Sequence, residues 1–145
     1  TNIPSVDLAD FLSKDPKKKE KFINEIGAAY EGIGFVALKN HFLSDELVEQ
    51  LYTEVEKFFQ LPKATKVGYE RPELGGQRGY VSFGKEHAKG KKEGDLKEFW
   101  HFGQEVDPDA NLEEVYPDNV VVKELPEFNN TGMQAYKMLE KTGIY

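Results

Sequence analysis

The fold of this chain is decided by two stretches, Gly34-Phe-Val-Ala-Leu-Lys-Asn-His-Phe-Leu43 and Phe58-Phe-Gln-Leu-Pro-Lys-Ala-Thr-Lys66. The apolar start of the first stretch predicts a short buried strand over residues 35–38, which runs into a turn. The second stretch is the apolar end of a helix. Leu61-Pro62 stops that helix, because proline pushes the preceding residue out of the α region. Ser44 is the predicted N-cap of this single amphipathic helix, which separates the two stretches.

Upstream of these stretches, the sequence predicts an edge strand and then a helix. The strand is Ile3-Pro-Ser-Val-Asp-Leu8, with proline near its start, where a lost N–H is tolerated. Asp15 is an N-cap and Pro16 occupies the first helical position. Gly32-Ile-Gly34 ends the helix, since glycine adopts the left-handed cap conformation readily. The predicted buried face of this helix consists of Phe22, Ile23, Ile26, Ala29 and Tyr30.

Downstream, six further glycines lie between Gly68 and Asp95. They predict a long glycine-rich loop over residues 68–95, and long loops inside compact domains are usually functional or disordered. Phe99-Trp-His-Phe102 is a predicted aromatic strand. A final helix is predicted after Leu125, with Met133, Tyr136, Met138 and Leu139 among its apolar residues.

Composition bounds the class of protein. The 145 residues are 39% apolar and 31% charged, which suits one domain with a real core. The absence of cysteine excludes disulfides, thiolate nucleophiles and zinc–thiolate sites. A formal net charge of −7 argues against nucleic-acid binding. No apolar run of about eighteen residues predicts a membrane span, and the N-terminus has no signal-peptide pattern, so a cytoplasmic location is expected.

The histidines do not form a recognisable metal motif. They are His41, His87 and His101, and none is followed two places later by aspartate. A non-haem iron centre needs two histidines and a carboxylate on one face of the metal. Glu98 and His101 have helical spacing, but in the predicted strand their side chains point to opposite faces. The sequence therefore predicts no metal ligand and no catalytic residue in this chain.

The segment Gln77-Arg-Gly-Tyr-Val-Ser82 is the best candidate for binding a small molecule. Arg78 offers a planar fork for a carboxylate, and Tyr80 offers an apolar ring with one hydroxyl. The alternative is an exposed arginine and a tyrosine that only packs under the loop. A hydrolase that uses Ser82 and His87 is a further alternative, although no acid is placed to orient the histidine.

Several of these segments resemble the isopenicillin N synthase-like family of non-haem iron, 2-oxoglutarate-dependent oxygenases. The similar segments, in the same order, are the Ile3–Leu8 strand, the Asn40-His41 turn, the Phe-Phe-x-Leu-Pro helix end, Arg78-Gly-Tyr80 and Asp95-Leu-Lys-Glu-Phe-Trp-His-Phe-Gly103. The resemblance covers nearly all of residues 3–140. It implies that Arg78, Tyr80 and Ser82 lie nearest the substrate pocket of an intact enzyme.

The resemblance also implies a fold and a division of labour. It predicts an α+β fold, with helices and a few short strands forming the N-terminal part of a double-stranded β-helix, or jelly-roll, oxygenase. Residues 1–145 would be this N-terminal domain. The family's His-x-Asp motif, second histidine and Arg-x-Ser motif belong to a catalytic jelly-roll half that is absent here.

What the resemblance implies about function follows from that division. The intact enzyme would use Fe(II) and 2-oxoglutarate to oxidise a small-molecule substrate. This chain would be inactive alone, would bind neither cofactor, and would contribute scaffold and one wall of the substrate pocket. Its partners would be the substrate and its own missing C-terminal half. The alternative is a stand-alone binding or interaction module without catalysis.

Overall fold

The computed structural model describes residues 2–85, 94–107 and 116–145. The described part of the chain is α+β, as the sequence predicted, with helices carrying most of its ordered residues and each strand three residues long. In chain order the elements are β1 (Ser5–Asp7), α1 (Leu8–Leu12), α2 (Pro16–Gly32), β2 (Ala37–Lys39), α3 (Asp45–Gln60), α4 (Lys63–Val67), a 3₁₀ turn (Pro72–Leu74), β3 (Gly79–Val81), β4 (Phe99–His101) and α5 (Pro126–Gly143).

The chain divides into two compact units, and the first comprises residues 1–44 and 141–145. In this unit β1 and β2 pair in parallel, with Ser5 opposite Ala37. The predicted start of α2 is confirmed: the Asp15 carboxylate accepts a hydrogen bond from the Lys17 backbone N–H at 2.9 Å. The predicted end is confirmed as well, because Gly34 has a φ of 77° and its N–H bonds to the carbonyl of Ala29.

The core of the first unit is small, and part of its predicted burial is wrong. Its buried members are Val6, Leu8 and Phe22. In contrast, half of Ile23 is exposed, Tyr30 is exposed, and Phe35 is 69% exposed. The apolar pattern placed these three side chains in a core, but a periodic apolar face does not show what packs against it, and Ile23 and Tyr30 on α2 and Phe35 before β2 are exposed among the described residues.

The second unit comprises residues 45–140 and has an aromatic core. Phe58 near the end of α3 is fully buried, and its ring lies 4.8 Å from Trp100, 5.0 Å from Phe128 and 5.8 Å from Tyr80. The predicted stop at Pro62 is confirmed, since α3 ends at Gln60 and α4 begins at Lys63. The helix end quoted from the sequence therefore places Phe58 at the centre of this core.

The described residues of the predicted 68–95 loop, namely 68–85 and 94–95, are more ordered than the glycine content indicated. They contain the 3₁₀ turn and β3, which pairs antiparallel with β4. The Tyr80 N–H also bonds to the Tyr69 carbonyl, so β3 has backbone partners on both edges. Gly79 has a φ of 77°, and a Cβ there would lie 2.5 Å from the Tyr69 carbonyl oxygen. Glycine at position 79 therefore allows β3 to lie close to the backbone of Tyr69, and it does not mark an irregular loop.

Within the described residues, no helix is both long enough and apolar enough to cross a membrane.

Candidate functional site

The three residues predicted to lie nearest a substrate pocket are Arg78, Tyr80 and Ser82, and they lie on and beside β3. Tyr80 is the central residue of the strand and pairs with Trp100 of β4. Arg78 directly precedes β3 and Ser82 directly follows it. Arg78 and Tyr80 are buried, and Ser82 is half-buried. The structure therefore places all three along one short strand, whereas the sequence had placed them in a loop.

The guanidinium group of Arg78 is buried against backbone. The whole residue is 7% exposed, so the alternative of an exposed arginine is wrong. Its Nε donates to the carbonyl oxygen of Pro117 at 3.0 Å, and its Nη1 donates to the carbonyl oxygen of Gln77 at 2.8 Å. The guanidinium lies so close to Gly103 that a Cβ there would be 1.8 Å from Cζ of Arg78.

Neutral carbonyl groups do not cancel the charge of Arg78. Among the described residues, no carboxylate forms an ion pair with its side chain. A buried cation is costly unless an anion compensates it, and arginine binds a carboxylate through two parallel hydrogen bonds. Within the described ranges, the partners of the Arg78 side chain are therefore the carbonyl oxygens of Pro117 and Gln77.

Tyr80 belongs to a buried ionic cluster, here named the Lys66–Glu98–Tyr80 cluster. Lys66 Nζ donates to the two carboxylate oxygens of Glu98 at 2.8 and 3.0 Å, and to the carbonyl oxygen of Phe59 at 3.0 Å. The Tyr80 hydroxyl donates to Oε2 of the same carboxylate. Lys66 is 7% exposed, so water barely screens these bonds. The cluster joins the end of α3 and the helix α4 to β3 and to the residue before β4.

The pKa values of Glu98 and Tyr80 are shifted in opposite directions. Burial raises the pKa of Glu98, but the hydrogen bonds from Lys66 and Tyr80 and the charge of Lys66 outweigh it, and the net pKa lies below its ordinary value. Burial and the hydrogen bond to the Glu98 carboxylate raise the pKa of Tyr80. The tyrosine therefore stays a neutral hydrogen-bond donor and is unsuited to act as a base.

The opposite face of the β3–β4 pair carries a second set of side chains. Tyr80 and Trp100 contact the aromatic core, so their strand neighbours Val81 and Phe99, which pair with each other, lie on the other face. His101 shares this face, is exposed, and lies 4.8 Å from Phe99 between ring centroids. Its Nδ1 is 2.5 Å from the Gly76 carbonyl oxygen, which fixes the ring's orientation. The alternation of strand side chains identifies this face once residues 79–81 are recognised as a strand.

A pocket of about 280 Å³ lies beside the C-terminal end of β3. Of the three predicted residues it is lined by Tyr80 alone, and Arg78 and Ser82 do not line it. Its charged residues are Glu70, Arg71 and Lys85, which the sequence analysis did not single out. One carboxylate oxygen of Glu70 is buried and accepts no hydrogen bond from the described residues, and the other is 3.9 Å from Lys85 Nζ. The sequence around Pro72, Glu70-Arg-Pro-Glu-Leu-Gly-Gly76, contains no motif that would have indicated this pocket.

The described residues do not fit an iron centre. They contain no group of three or more histidine, aspartate and glutamate side chains placed to hold a metal ion. Glu98 is bound to Lys66, and His101 contacts Gly76, so these two side chains do not converge. His41 is exposed after β2, and His87, the base of the alternative hydrolase with Ser82, lies outside the described residues.

Known proteins resemble this chain in sequence. Residues 3–124 match the family model described as the N-terminal region of a non-haem dioxygenase in morphine synthesis. The chain is 37% identical over 86 residues to the 2-oxoglutarate-dependent dioxygenase frbA of Dothideomycetidae sp., an alignment that covers 59% of this chain and 26% of frbA. It is 31% identical over 121 residues to the proline hydroxylase buaE of Petromyces alliaceus, covering 80% of this chain and 36% of buaE.

Solved structures resemble it as well. A 2OG-Fe(II) oxygenase family protein from Caulobacter crescentus superposes with a TM-score of 0.82 at 34% identity, covering 99% of this chain and 45% of that one. A full-length Neurospora crassa protein, solved in complex with alpha-KG, superposes with a TM-score of 0.74 at 27% identity, covering 96% of this chain and 39% of that one. The chain therefore spans less than half the length of each of these relatives.

Proposed function

The chain belongs to the family of non-haem dioxygenase N-terminal domains, and on that premise we propose that it is the N-terminal portion of an Fe(II)- and 2-oxoglutarate-dependent oxidoreductase acting on a small molecule. Its own contribution would be scaffold and one wall of the substrate pocket. The family membership confirms the resemblance that the sequence motifs indicated. The observation that carries the proposal is the superposition of 99% of this chain on 45% of a 2OG-Fe(II) oxygenase family protein.

The cofactors would be held outside the residues described here. Because these residues do not fit an iron centre, we assign no chemical step to them and expect this chain alone to be inactive. The same proposal includes a missing C-terminal half, which would form the jelly roll and so complete the α+β fold. It also includes a cytoplasmic location. Names such as 2-oxoglutarate-Fe(II) type oxidoreductase among the relatives support Fe(II) and 2-oxoglutarate as the cofactors of the intact enzyme.

Arg78, Tyr80 and Ser82 remain the proposed substrate-binding residues, with distinct roles. Arg78 would receive a carboxylate or another anionic group of the substrate, since its charge is uncompensated among the described residues. Tyr80 lines the pocket beside β3, and its hydroxyl already donates to Glu98. Tyr80 would therefore shape the pocket and would not donate a hydrogen bond to the substrate. Ser82 is half-buried at the end of the strand and would offer a neutral hydroxyl.

The proposal is tested on two samples, the 145-residue chain and the protein purified from its native host. We expect calorimetry to detect no Fe(II) binding by the chain alone at micromolar concentration. The host protein should exceed 16.5 kDa, bind Fe(II) and convert 2-oxoglutarate to succinate. Micromolar Fe(II) binding by the chain alone, or a host protein of larger mass that never consumes 2-oxoglutarate, would contradict the proposal.

One observation favours the alternative of a stand-alone binding or interaction module. The second unit has a continuous aromatic core around Phe58 and Phe128, both fully buried, which is a basis for independent folding. Cooperative thermal unfolding of a host protein that has only 145 residues would support that alternative. An aggregating, non-cooperative chain would support the N-terminal portion of a larger enzyme.

A further inference from the structure

The pocket beside the C-terminal end of β3 contains a carboxylate whose hydrogen bonding is incomplete. The side chain of Glu70 is only 15% exposed, and its Oε1 atom is buried with no hydrogen-bond donor among the described residues. Its Oε2 atom lies 3.9 Å from Nζ of Lys85, a longer separation than the roughly 2.7–2.9 Å of a charge-assisted hydrogen bond. A buried acceptor that lacks a donor is costly, so a ligand that donates to Glu70 would gain affinity from this contact.

The backbone of Glu70 is held in place by several contacts. Its N–H donates to the carbonyl oxygen of Val67 at 3.1 Å, and its carbonyl oxygen accepts from Nη1 of Arg71 at 2.7 Å. Glu70 also forms an isolated parallel bridge with Tyr80 of β3. The carboxylate is therefore carried on an ordered backbone, and a ligand would not have to order this part of the chain when it binds.

Positive charge lies beside this carboxylate, because Arg71 and Lys85 line the same pocket. The guanidinium group of Arg71 donates through Nη1 to the carbonyl oxygens of Gly68 and Glu70, and its other nitrogens have no acceptor among the described residues. A ligand with an amine alone would be repelled by the two cations. A ligand with an acid alone would leave Oε1 of Glu70 without a donor. A ligand that carries both charges satisfies both sides of the pocket.

We infer that this pocket binds an α-amino acid, with Glu70 receiving the ammonium group and Lys85 and Arg71 facing the carboxylate. The two charged groups of an α-amino acid are attached to one carbon, so they lie side by side as Glu70 and Lys85 do. The volume of about 280 Å³ is below the roughly 300–1,000 Å³ of sites for drug-sized ligands, which suits a small metabolite. Pro72 and Val81 line the pocket and offer apolar contacts to the ligand's side chain.

The amino acid would be the substrate, and in this respect the inference rests on the proposed function. Arg78 and Ser82 do not line the pocket, whereas Tyr80 does. An anionic group at Arg78 would therefore belong to a part of the substrate that lies outside the pocket. The Tyr80 hydroxyl is bound to Glu98, which leaves Glu70 as the acceptor for the ammonium group.

The test is isothermal titration calorimetry on the protein purified from its native host, with each standard amino acid as a probe. Leaving out Fe(II) keeps turnover from contributing heat. We expect at least one amino acid to bind with a dissociation constant below about 1 mM. The matched probes are the amine that lacks its carboxylate and the acid that lacks its amine, which for L-valine are isobutylamine and isovalerate. Each should bind at least about tenfold more weakly than the amino acid.

Variants of the host protein assign the charges of the ligand to residues. Glu70→Gln should weaken binding of the amino acid by about tenfold or more and should not weaken binding of the acid probe. Lys85→Met should weaken binding of both. Glu73→Gln is the matched control, because Glu73 is exposed in the adjacent 3₁₀ turn and does not line the pocket. Glu70→Gln should unfold at no lower temperature than the unchanged protein, since it removes a buried charge that lacks a donor.

The contrary outcomes separate this inference from the proposed function. Equal effects of Glu70→Gln and Glu73→Gln on binding, or an amine probe that binds as tightly as the amino acid, would overturn the inference. A host protein that consumes 2-oxoglutarate but binds no amino acid below about 1 mM would overturn it as well and leave the proposed function intact. A host protein that binds an amino acid through Glu70 yet never consumes 2-oxoglutarate would support the site and contradict the proposed function.

Discussion

Loss of either charged member of the Lys66–Glu98–Tyr80 cluster should destabilise the fold far more than loss of a surface ion pair. Lys66→Met leaves the Glu98 carboxylate, 17% exposed at its side chain, with the Tyr80 hydroxyl as its remaining donor in the cluster. Breaking a buried pair by removing one partner costs about 3–5 kcal/mol. Because Glu98 keeps some contact with water, we expect the lower end, about 3 kcal/mol, and a fall in Tm of about 10 °C for a domain of this size.

The chain contains a matched control with similar geometry and little burial. Lys137 Nζ lies 2.9 Å from the Glu105 carboxylate, a separation close to the 2.8 Å of the buried pair, but both side chains are more than half exposed. Lys137→Met should cost less than about 1 kcal/mol, as exposed pairs do. The contrast between the two lysines compares a buried ion pair with an exposed one of similar length, and Lys66→Met also removes the hydrogen bond to the Phe59 carbonyl.

A double-mutant cycle with Glu98→Gln completes the test. Each single change should cost about 3 kcal/mol, and the double variant should cost clearly less than their sum, because no unpaired buried charge remains. The free energies of unfolding would come from urea titration followed by tryptophan fluorescence of Trp100. If Lys66→Met cost no more than Lys137→Met, or if the two cluster changes were additive, the cluster would not be a buried ionic unit and our account of β3 would be wrong.

Three further predictions test the packing and the pH dependence of the fold. Gly103→Ala should lower the free energy of unfolding by about 2 kcal/mol or more, because the added Cβ would overlap the Arg78 guanidinium. Gly27→Ala on α2 should raise it by up to about 1 kcal/mol, because nothing lies within 4 Å of the added Cβ. Chemical denaturation measures both changes. The raised pKa of Tyr80 favours the folded state below the ordinary tyrosine pKa of 10.0, so stability should fall as pH rises above that value, and Tyr80→Phe should flatten the fall. Phe58→Ala should cost about 3–5 kcal/mol in the same assay; an unchanged midpoint would contradict the central place given to Phe58.

At acid pH the stability contributed by the cluster changes in the opposite direction, because it rises with pH. The pKa of Glu98 is lowered in the folded state from its ordinary 4.5, so the ionised carboxylate stabilises the fold above that value. This contribution is lost as pH falls through the lowered pKa of the folded state. Tyr80 and Glu98 therefore limit the stability of the same cluster from the alkaline and the acid side, and they leave it intact across the neutral range.

Features that depend on neighbouring residues were predictable from the sequence. Asp15 with Pro16 starts α2, Gly34 ends it, and Pro62 separates α3 from α4, because each acts through backbone geometry within a few residues. The family resemblance was equally accessible, since it rests on short segments in order. Local sequence was therefore sufficient for the boundaries of these helices and for the class of the domain.

Features that depend on distant residues were not predictable in the same way. Lys66 and Glu98 are 32 positions apart, and no motif around either residue predicts that the two side chains pair. The glycines of residues 68–95 indicated a loop, because local pattern cannot distinguish a glycine that frees the chain from one that permits close packing. Gly79 is of the second kind, and only the Tyr69 carbonyl beside it reveals this. The misplacement of β3 followed directly from that ambiguity.

The cluster gives the β3–β4 pair two faces with different constraints. On one face, Tyr80 is held by its hydrogen bond to Glu98 and by the aromatic core. A substitution of Tyr80 should therefore affect the stability of the fold more than the binding of a ligand. On the other face, Phe99 and the exposed His101 contact each other, and His101 Nδ1 lies at hydrogen-bond distance from the backbone carbonyl of Gly76. A wall that must recognise a substrate needs side chains that can vary on a backbone that does not move. The buried ionic cluster fixes the backbone of β3 through Tyr80, so Arg78 and Ser82, which flank β3 and belong to the proposed wall, are carried on a backbone that is held in place.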